Sequence, residues 1–341
     1  MIRRAHLLAC VASLLFGCGS QSTITTTGGV APEQTDPPLG KRDLARDLEA
    51  TVLENYTQLT LGNLDAYADA IARDRDVVLI GLSARDVVLG RNPEGAREVR
   101  LPFSNRSVKL LAKNLEVCLS ADGSVGWVYD ELSYRVAHDG RNASIPIRFT
   151  GVFVRDIDRW VMVLEHLAYA LPIEEIITLA RAGALKRPEP ICRKRTCGGS
   201  GRSALRGVID TFHSEERDNV LANVPEALLL WPDPDEEYAG AAVTEAPRLA
   251  ALFGPDATVE VVSSRSSTSR SDKVAWLTAE LAVRTNDEDA LVIRLRGTYV
   301  LERVRVRTNQ FRWEVVLAHV SVPVEERELA RRVFGTPKGV D

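Results

Sequence analysis

The sequence predicts an α+β protein in which one folding unit is used twice. Three blocks, GWVYDELSYRV, IRFTGVFV and RWVMVLEHLAYALP, fall in order within residues 124–172, and AWLTAELAVRT, IRLRGTYV and RWEVVLAHVSVP repeat that order within 274–323. Recurrence of this kind is the signature of a duplicated domain. In each copy helical spacing comes first and two-residue alternation last, which separates helices from strands along the chain. The length of 341 residues accommodates two such domains with a leader and a linker.

The elements follow from local signals. Leu44, Leu48, Val52, Tyr56 and Leu59 recur at helical spacing and predict a long amphipathic helix over 43–60. Gly62 ends it, and Asn63 can cap a short helix from Leu64 to Ile71. VVLIG at 77–81 reads as a strand, and 94–100 as a helical turn. Long strands are expected at 106–120, 124–137, 144–155 and 159–169, with hairpin turns at Asp122-Gly123 and Asp139-Gly140. A helix over 173–184 closes the first copy. The second copy predicts helices at 203–215, 217–224 and 243–253, the last containing Pro247, and strands at 227–231, 257–266, 272–285, 290–304 and 311–322. The boundaries are therefore a leader at 1–17, a Ser/Thr/Gly/Pro-rich flexible tether at 18–40, a first domain at 41–184, a basic linker at 185–202, a second domain at 203–325 and a tail at 326–341.

The composition, 45% hydrophobic and 26% charged, is that of a globular chain. No apolar run reaches the roughly 20 residues of a membrane span. Arg3 and Arg4 precede an apolar stretch over 5–17, the layout of a signal peptide. Leu15-Phe16-Gly17-Cys18 resembles the lipobox of bacterial lipoproteins. That resemblance implies cleavage before Cys18, a lipid on Cys18, and a bacterial envelope protein tethered to the outer membrane and facing the periplasm. Loss of residues 1–17 takes the net charge from −4 to −6, because Arg3 and Arg4 go with them. An acidic body argues against nucleic-acid binding.

Of the five cysteines, Cys10 lies in the leader and Cys118 in an apolar strand pattern. Cys192 and Cys197 bracket four residues of the linker, and an oxidising compartment favours a local disulfide between them. No second cysteine pair or nearby histidine completes a zinc site, so no metal is expected. Neither a phosphate-binding glycine loop nor a nucleophile elbow is present, and no cofactor is expected. The polar run SSRSSTSRSD at 263–272 reads as a solvated hairpin loop.

The order helix, GNLDAY, DVVLIG, GWV, FTGVFV and RW-x5-H is similar to the SnoaL-like branch of the NTF2-like superfamily. The second copy matches at AWL, RGTYV and RWEVVLAHVS, while the GNLD equivalent is eroded to RDNV. The resemblance implies two cones, each a curved antiparallel sheet wrapped round N-terminal helices, with a hollow at the wide end. The superfamily includes isomerases, cyclases and non-enzymes, so it implies a fold more than an activity.

Alternation assigns the strand faces. Trp127, Glu131 and Arg148 in the first copy, and Trp276, Glu280 and Arg294 in the second, share the convex face. A large aromatic beside paired charges there predicts that the copies meet convex face to convex face as an internal pseudo-dimer, with Glu131–Arg148 and Glu280–Arg294 pairs. The alternative is ordinary surface ion pairs. Simple alternation turns His166 inward with Trp160, and His319 inward with Trp313. Each histidine reads either as a pocket base or as a hydrogen-bonded structural residue. Tyr56, Tyr134, Phe153, Trp160 and His166, with Tyr299, Trp313 and His319, form the expected hollow linings. Asp130 is a carboxylate in an apolar row where the second copy has Ala279, so any chemistry is expected from Asp130 and His166. The alternative for Asp130 is a rim position.

Three functions remain open. The preferred one is a non-catalytic module binding a small apolar ligand or an envelope protein. The second is a cofactor-free isomerase, cyclase or hydratase. The third is a structural protein with filled cones.

Overall fold

The apolar stripe of residues 41–60 forms a single helix in the computed structural model, α1 (Lys41–Thr60), with Leu44, Leu48, Val52, Tyr56 and Leu59 buried. Gly62 follows in the left-handed region at φ 73°, and the Asn63 side chain accepts from the Ala66 amide to start α2 (Leu64–Asp69). The structure describes residues 40–73, 77–90, 108–138, 141–192, 196–198, 202–286 and 290–334. The leader, the tether with Cys18, the turn at Asp139-Gly140 and the helical turn expected at 94–100 lie outside them.

The first sheet has seven strands. They are β1 (Val78–Ile80), β2 (Val87–Leu89), β3 (Val108–Leu111), β4 (Glu116–Leu119), β5 (Val125–His138), β6 (Arg141–Asp156) and β7 (Arg159–Ala168). Their order is β2-β1-β7-β6-β5-β3, with β4 also on β5. Helix α3 (Ile173–Arg181) follows. The second sheet has the same plan. It contains β8 (Thr196–Gly198), β9 (Leu228–Leu230), β10 (Glu237–Ala239), β11 (Thr258–Thr268), β12 (Val274–Arg284), β13 (Val292–Arg307) and β14 (Gln310–Ser321), in the order β10-β9-β14-β13-β12-β11-β8. Helix α4 (Arg202–Phe212) buries Leu205, Ile209 and Phe212, and α5 (Glu326–Phe334) buries Leu329. No helix among the described residues is long and apolar enough to cross a membrane.

Several expectations are corrected. The sheets are mixed, because β1 lies parallel to β7 and β9 parallel to β14. Each of β1 and β9 lies between the last long strand and a short antiparallel edge strand, β2 or β10. The strand expected over 106–120 is broken into β3 and β4. The helix expected at 217–224 is one 3₁₀ turn, Arg217–Asn219. The chain is drawn straight there, since Leu221 bridges Val315 of β14. The helix expected at 243–253 is two 3₁₀ turns, Gly240–Thr244 and Leu249–Phe253. Pro247 between them has no amide to donate and disfavours helical backbone before it. The linker contributes β8, parallel to β11, and the tail contributes α5. The run 263–272 is mostly strand: Ser263, Ser264 and Ser266 are buried on β11.

Glycine sets the closeness of helix to sheet. A Cβ on Gly126 of β5 would stand 2.2 Å from Leu48 of α1. Glycine there leaves the room that the Leu48 side chain occupies against the sheet.

The two domains touch by reciprocal contacts. The Arg148 guanidinium donates to the carbonyls of Trp231 (2.6 Å), Asp233 (3.1 Å) and Pro234 (3.0 Å). Arg296 donates to the carbonyls of Gly81 (3.3 Å), Ser83 (2.7 Å) and Ala84 (2.5 Å). These carbonyls occupy equivalent places, because Ile80 and Leu230 each sit opposite the histidine of the neighbouring strand. The amides of Leu171 and Val324 repeat the exchange with the carbonyls of Pro232 and Leu82. Arg148 is thus the counterpart of Arg296, two residues beyond the Arg294 that direct alignment of the motifs pairs with it.

Candidate functional site

The concave face of each sheet is the place to look for a site, and β-bulges decide what lines it. On β6, Phe149, Gly151 and Phe153 face the helices, while Arg148, Thr150 and Val152 face away. Thr150 pairs with His166 and Val152 with Leu164, but Phe153 pairs with Met162, so Val163 is an extra residue in β7. A bulge of this kind reverses the faces of everything beyond it. Trp160 and Met162 therefore face the hollow, and His166 does not. In β14 the extra residue is Val316, so Trp313 keeps the inner face and His319 is turned out.

Both histidines thus leave the linings where simple alternation put them. They meet at the domain boundary, ring centroids 4.1 Å apart. His166 Nε2 shares a hydrogen bond with Ser321 Oγ (2.8 Å), and His319 Nδ1 with Thr150 Oγ1 (2.9 Å). Burial lowers both from the usual histidine value, His166 to about 3. They are neutral structural residues, and the pairing of Asp130 with His166 does not occur: the two lie on opposite faces of one sheet.

The bulge that removes His166 brings in Glu165. It sits opposite Gly151, fully buried, and the Tyr67 hydroxyl donates to Glu165 Oε2 at 2.7 Å. Asp130, opposite Phe149, is also fully buried rather than at a rim. The break between β3 and β4 explains how. The chain bows out at 112–115, and the freed amides of Lys113 and Asn114 both donate to Asp130 Oδ1, at 3.1 and 3.0 Å. Burial raises the Asp130 carboxyl above the ordinary range, and the two amides and the Tyr56 hydroxyl oppose that rise. Around these groups Tyr56, Tyr134, Phe149, Phe153 and Trp160 are buried, with Tyr56 edge-on to Phe149 at 5.7 Å.

The second hollow is filled. Tyr299, Phe212 and Trp231 are buried to about 1% exposure or less and meet edge to face or tilted. The Tyr299 hydroxyl and His213 Nε2 lie 2.6 Å apart. Gly297 makes the room, since a Cβ there would stand 2.4 Å from the Tyr299 hydroxyl. The counterparts of Asp130 and Glu165 are Ala279 and Ala318, both fully buried. The two buried carboxylates belong to the first copy alone.

The other candidates divide. Trp127 and Trp276 are buried on the convex faces. Arg294 pairs with Glu280 at 3.2 Å, whereas Glu131 accepts from Asn114 while Arg148 reaches across to the second domain. Arg148 also stands 3.6 Å from Glu237, which accepts from the Tyr129 hydroxyl. Cys192 and Cys197 are joined as a disulfide. Among the described residues, no group of three or more His, Cys, Asp or Glu is placed to hold a metal ion. Glu165 was missed because the valine-rich start of the run VMVLEHLA leaves no alternation to mark the bulge, and Tyr67, on α2, because only the fold brings it to Glu165.

Two sheets, each with a helix packed against it and a meander of long strands, define a pair of α+β domains built on one plan. The chain belongs to the SnoaL-like domain family, whose model matches residues 48–172 and again 202–325. Solved structures similar to it include a protein from Catenulispora acidiphila (16% identity over 37% of this chain and 91% of that chain, TM-score 0.32). Another is the CamKII hub homology domain of Chlamydamonas reinhardtii (18%, 37% and 98%, TM-score 0.31). A third is Aln2 from a Streptomyces species (13%, 40% and 96%, TM-score 0.33). A comparison with the curated proteins gives no match.

Proposed function

We propose that the protein is an envelope lipoprotein whose first SnoaL-like domain binds a small, mainly apolar molecule carrying one polar group, while the second domain serves as its structural partner. The observation that carries this reading is the asymmetry of the hollows. Burying a carboxylate is costly unless it is bonded. The first domain nevertheless holds Asp130 and Glu165 among aromatic side chains, where the second has Ala279 and Ala318. An apolar lining with a few placed polar groups suits a small ligand. Tethering rests on Leu15-Phe16-Gly17-Cys18.

The test is mass spectrometry of small molecules that co-purify with the chain. A molecule retained by the wild type and by Ala279→Ser, but lost from Asp130→Ala and Glu165→Ala, supports the reading. Retention by both carboxylate variants overturns it. For the tether, Cys18→Ser should abolish palmitate labelling and release the protein from membranes.

A second reading, proton transfer in an isomerase, cyclase or hydratase reaction, is favoured by the raised Asp130 carboxyl beside Tyr56. There Asp130 acts with Glu165 rather than with His166. Deuterium uptake from solvent into the co-purified molecule by the wild type, absent in Asp130→Asn, would support it.

A further inference from the structure

The β6–β7 hairpin of the first domain and the start of β12 in the second enclose a groove of about 610 Å³, within the range of small-molecule sites. It lies outside both hollows. Its floor is apolar, formed by Val154, Val161, Val163 and the ring of Trp276. Among the described residues four arginines line it, Arg73, Arg155, Arg159 and Arg270, with one carboxylate, Asp156. The whole chain has a net charge of −4, so this cationic concentration is local. Arg270 is 3.6 Å from Asp156 with a side chain 92% exposed, a screened pair that neutralises little of the cluster.

Trp276 is 6% exposed and lines the groove with its ring, its indole Nε1–H being covered. The Arg155 Nε is covered as well, which seats the stem of that arginine in the wall. The run 266–271 completes the wall with Ser267, Thr268, Ser269 and Ser271.

We propose that this groove is a second binding site, for an amphipathic organic anion. The apolar body lies on the three valines and the indole ring. The anionic head is held by Arg155 and Arg159, whose planar guanidinium groups match a carboxylate in two-point fashion. The site exists only where the two domains meet, so a single SnoaL-like domain lacks it.

The test titrates the full chain with dodecanoate, with dodecan-1-ol as the neutral control, by calorimetry and tryptophan fluorescence. Dodecanoate should bind about tenfold or more tightly than the alcohol, the effect of charge-assisted bonds. Arg155→Gln with Arg159→Gln should erase that preference, and Trp276→Ala, which removes the ring from the floor, should weaken dodecanoate several-fold. Arg270→Gln, at an exposed position, gives the same test at smaller amplitude if the double variant fails to fold. Arg284→Gln, at the end of β12 far from the groove, should leave dodecanoate binding unchanged. Equal affinity for acid and alcohol, or no binding of either, overturns the proposal. So does loss of binding in Asp130→Asn with the groove variants unaffected, which would place the anion in the hollow and leave the reading of that hollow standing.

Discussion

His166 and His319 stack across the domain boundary with ring planes 23° apart, each tied by one hydrogen bond to a hydroxyl of the other domain. They are equivalent residues of the two copies. The arrangement uses histidine as a flat, neutral, bondable filler.

That neutrality has a pH consequence. Burial holds His166 and His213 at about 3 and His319 well below the usual value. The unfolded chain takes up these protons near pH 6.5 while the native state refuses them, so stability falls as pH drops below that point. At pH 5 the loss should be about 2 kcal/mol per histidine. Urea unfolding at pH 7.5 and pH 5 measures it. His166→Gln with His319→Asn, which keep the bonded positions, should flatten most of the slope; an unchanged slope would count against the assignment.

Asp130 has the opposite sign. Its carboxyl is raised, so the native state binds the proton more readily than the unfolded chain, and this residue's contribution falls as pH rises through the carboxylate range. Asp130→Asn retains an acceptor for the Lys113 and Asn114 amides and should be neutral or stabilising at pH 7. Asp130→Ala leaves both amides without that acceptor and should cost about 2–4 kcal/mol. Thermal melts of the two variants side by side decide it.

Arg148 and Arg296 should behave as equivalents. Each anchors three carbonyls of the opposite domain. Replacing either with Ala should cost about 3 kcal/mol or more, because buried acceptors are left bare. Lys should rescue little, since a compact ammonium lacks the planar spread with which two guanidinium nitrogens reach three separate carbonyls. Denaturant unfolding with a separate transition for each domain is the expected signature in the double variant.

Gly297→Ala tests the filled second hollow. Its new methyl would collide with the Tyr299 ring and hydroxyl, costing about 1–3 kcal/mol as an overpacked core. Gly151→Ala should cost a similar amount, through Phe153 and Phe149 at 2.8 and 2.9 Å. A melt within error of wild type for both would show hollows looser than described.

Much of this architecture was legible in the chain. The duplicated blocks, the α1 stripe and the strand spans are local patterns, and local patterns survive translation into structure. Asp130 was legible as the odd carboxylate of an apolar row. Its acceptor role for Lys113 and Asn114 was not, because nothing in 106–120 signals that the strand parts to cap it. The faces of His166 and His319 were misassigned for a related reason. One extra residue at Val163, and another at Val316, reverses two strands, and apolar side chains on both faces hide the slip. The same step concealed Glu165.

The sequence by itself determined that one α+β unit occurs twice, with its helices ahead of its strands. Periodicity and repetition need no knowledge of distant neighbours. Which strand residues face a hollow, which face the partner domain and which arginine reaches which carbonyl were decided only in the tertiary structure. Bulges, parallel edge strands and domain contacts depend on pairings between segments far apart in the chain, and no local pattern encodes them.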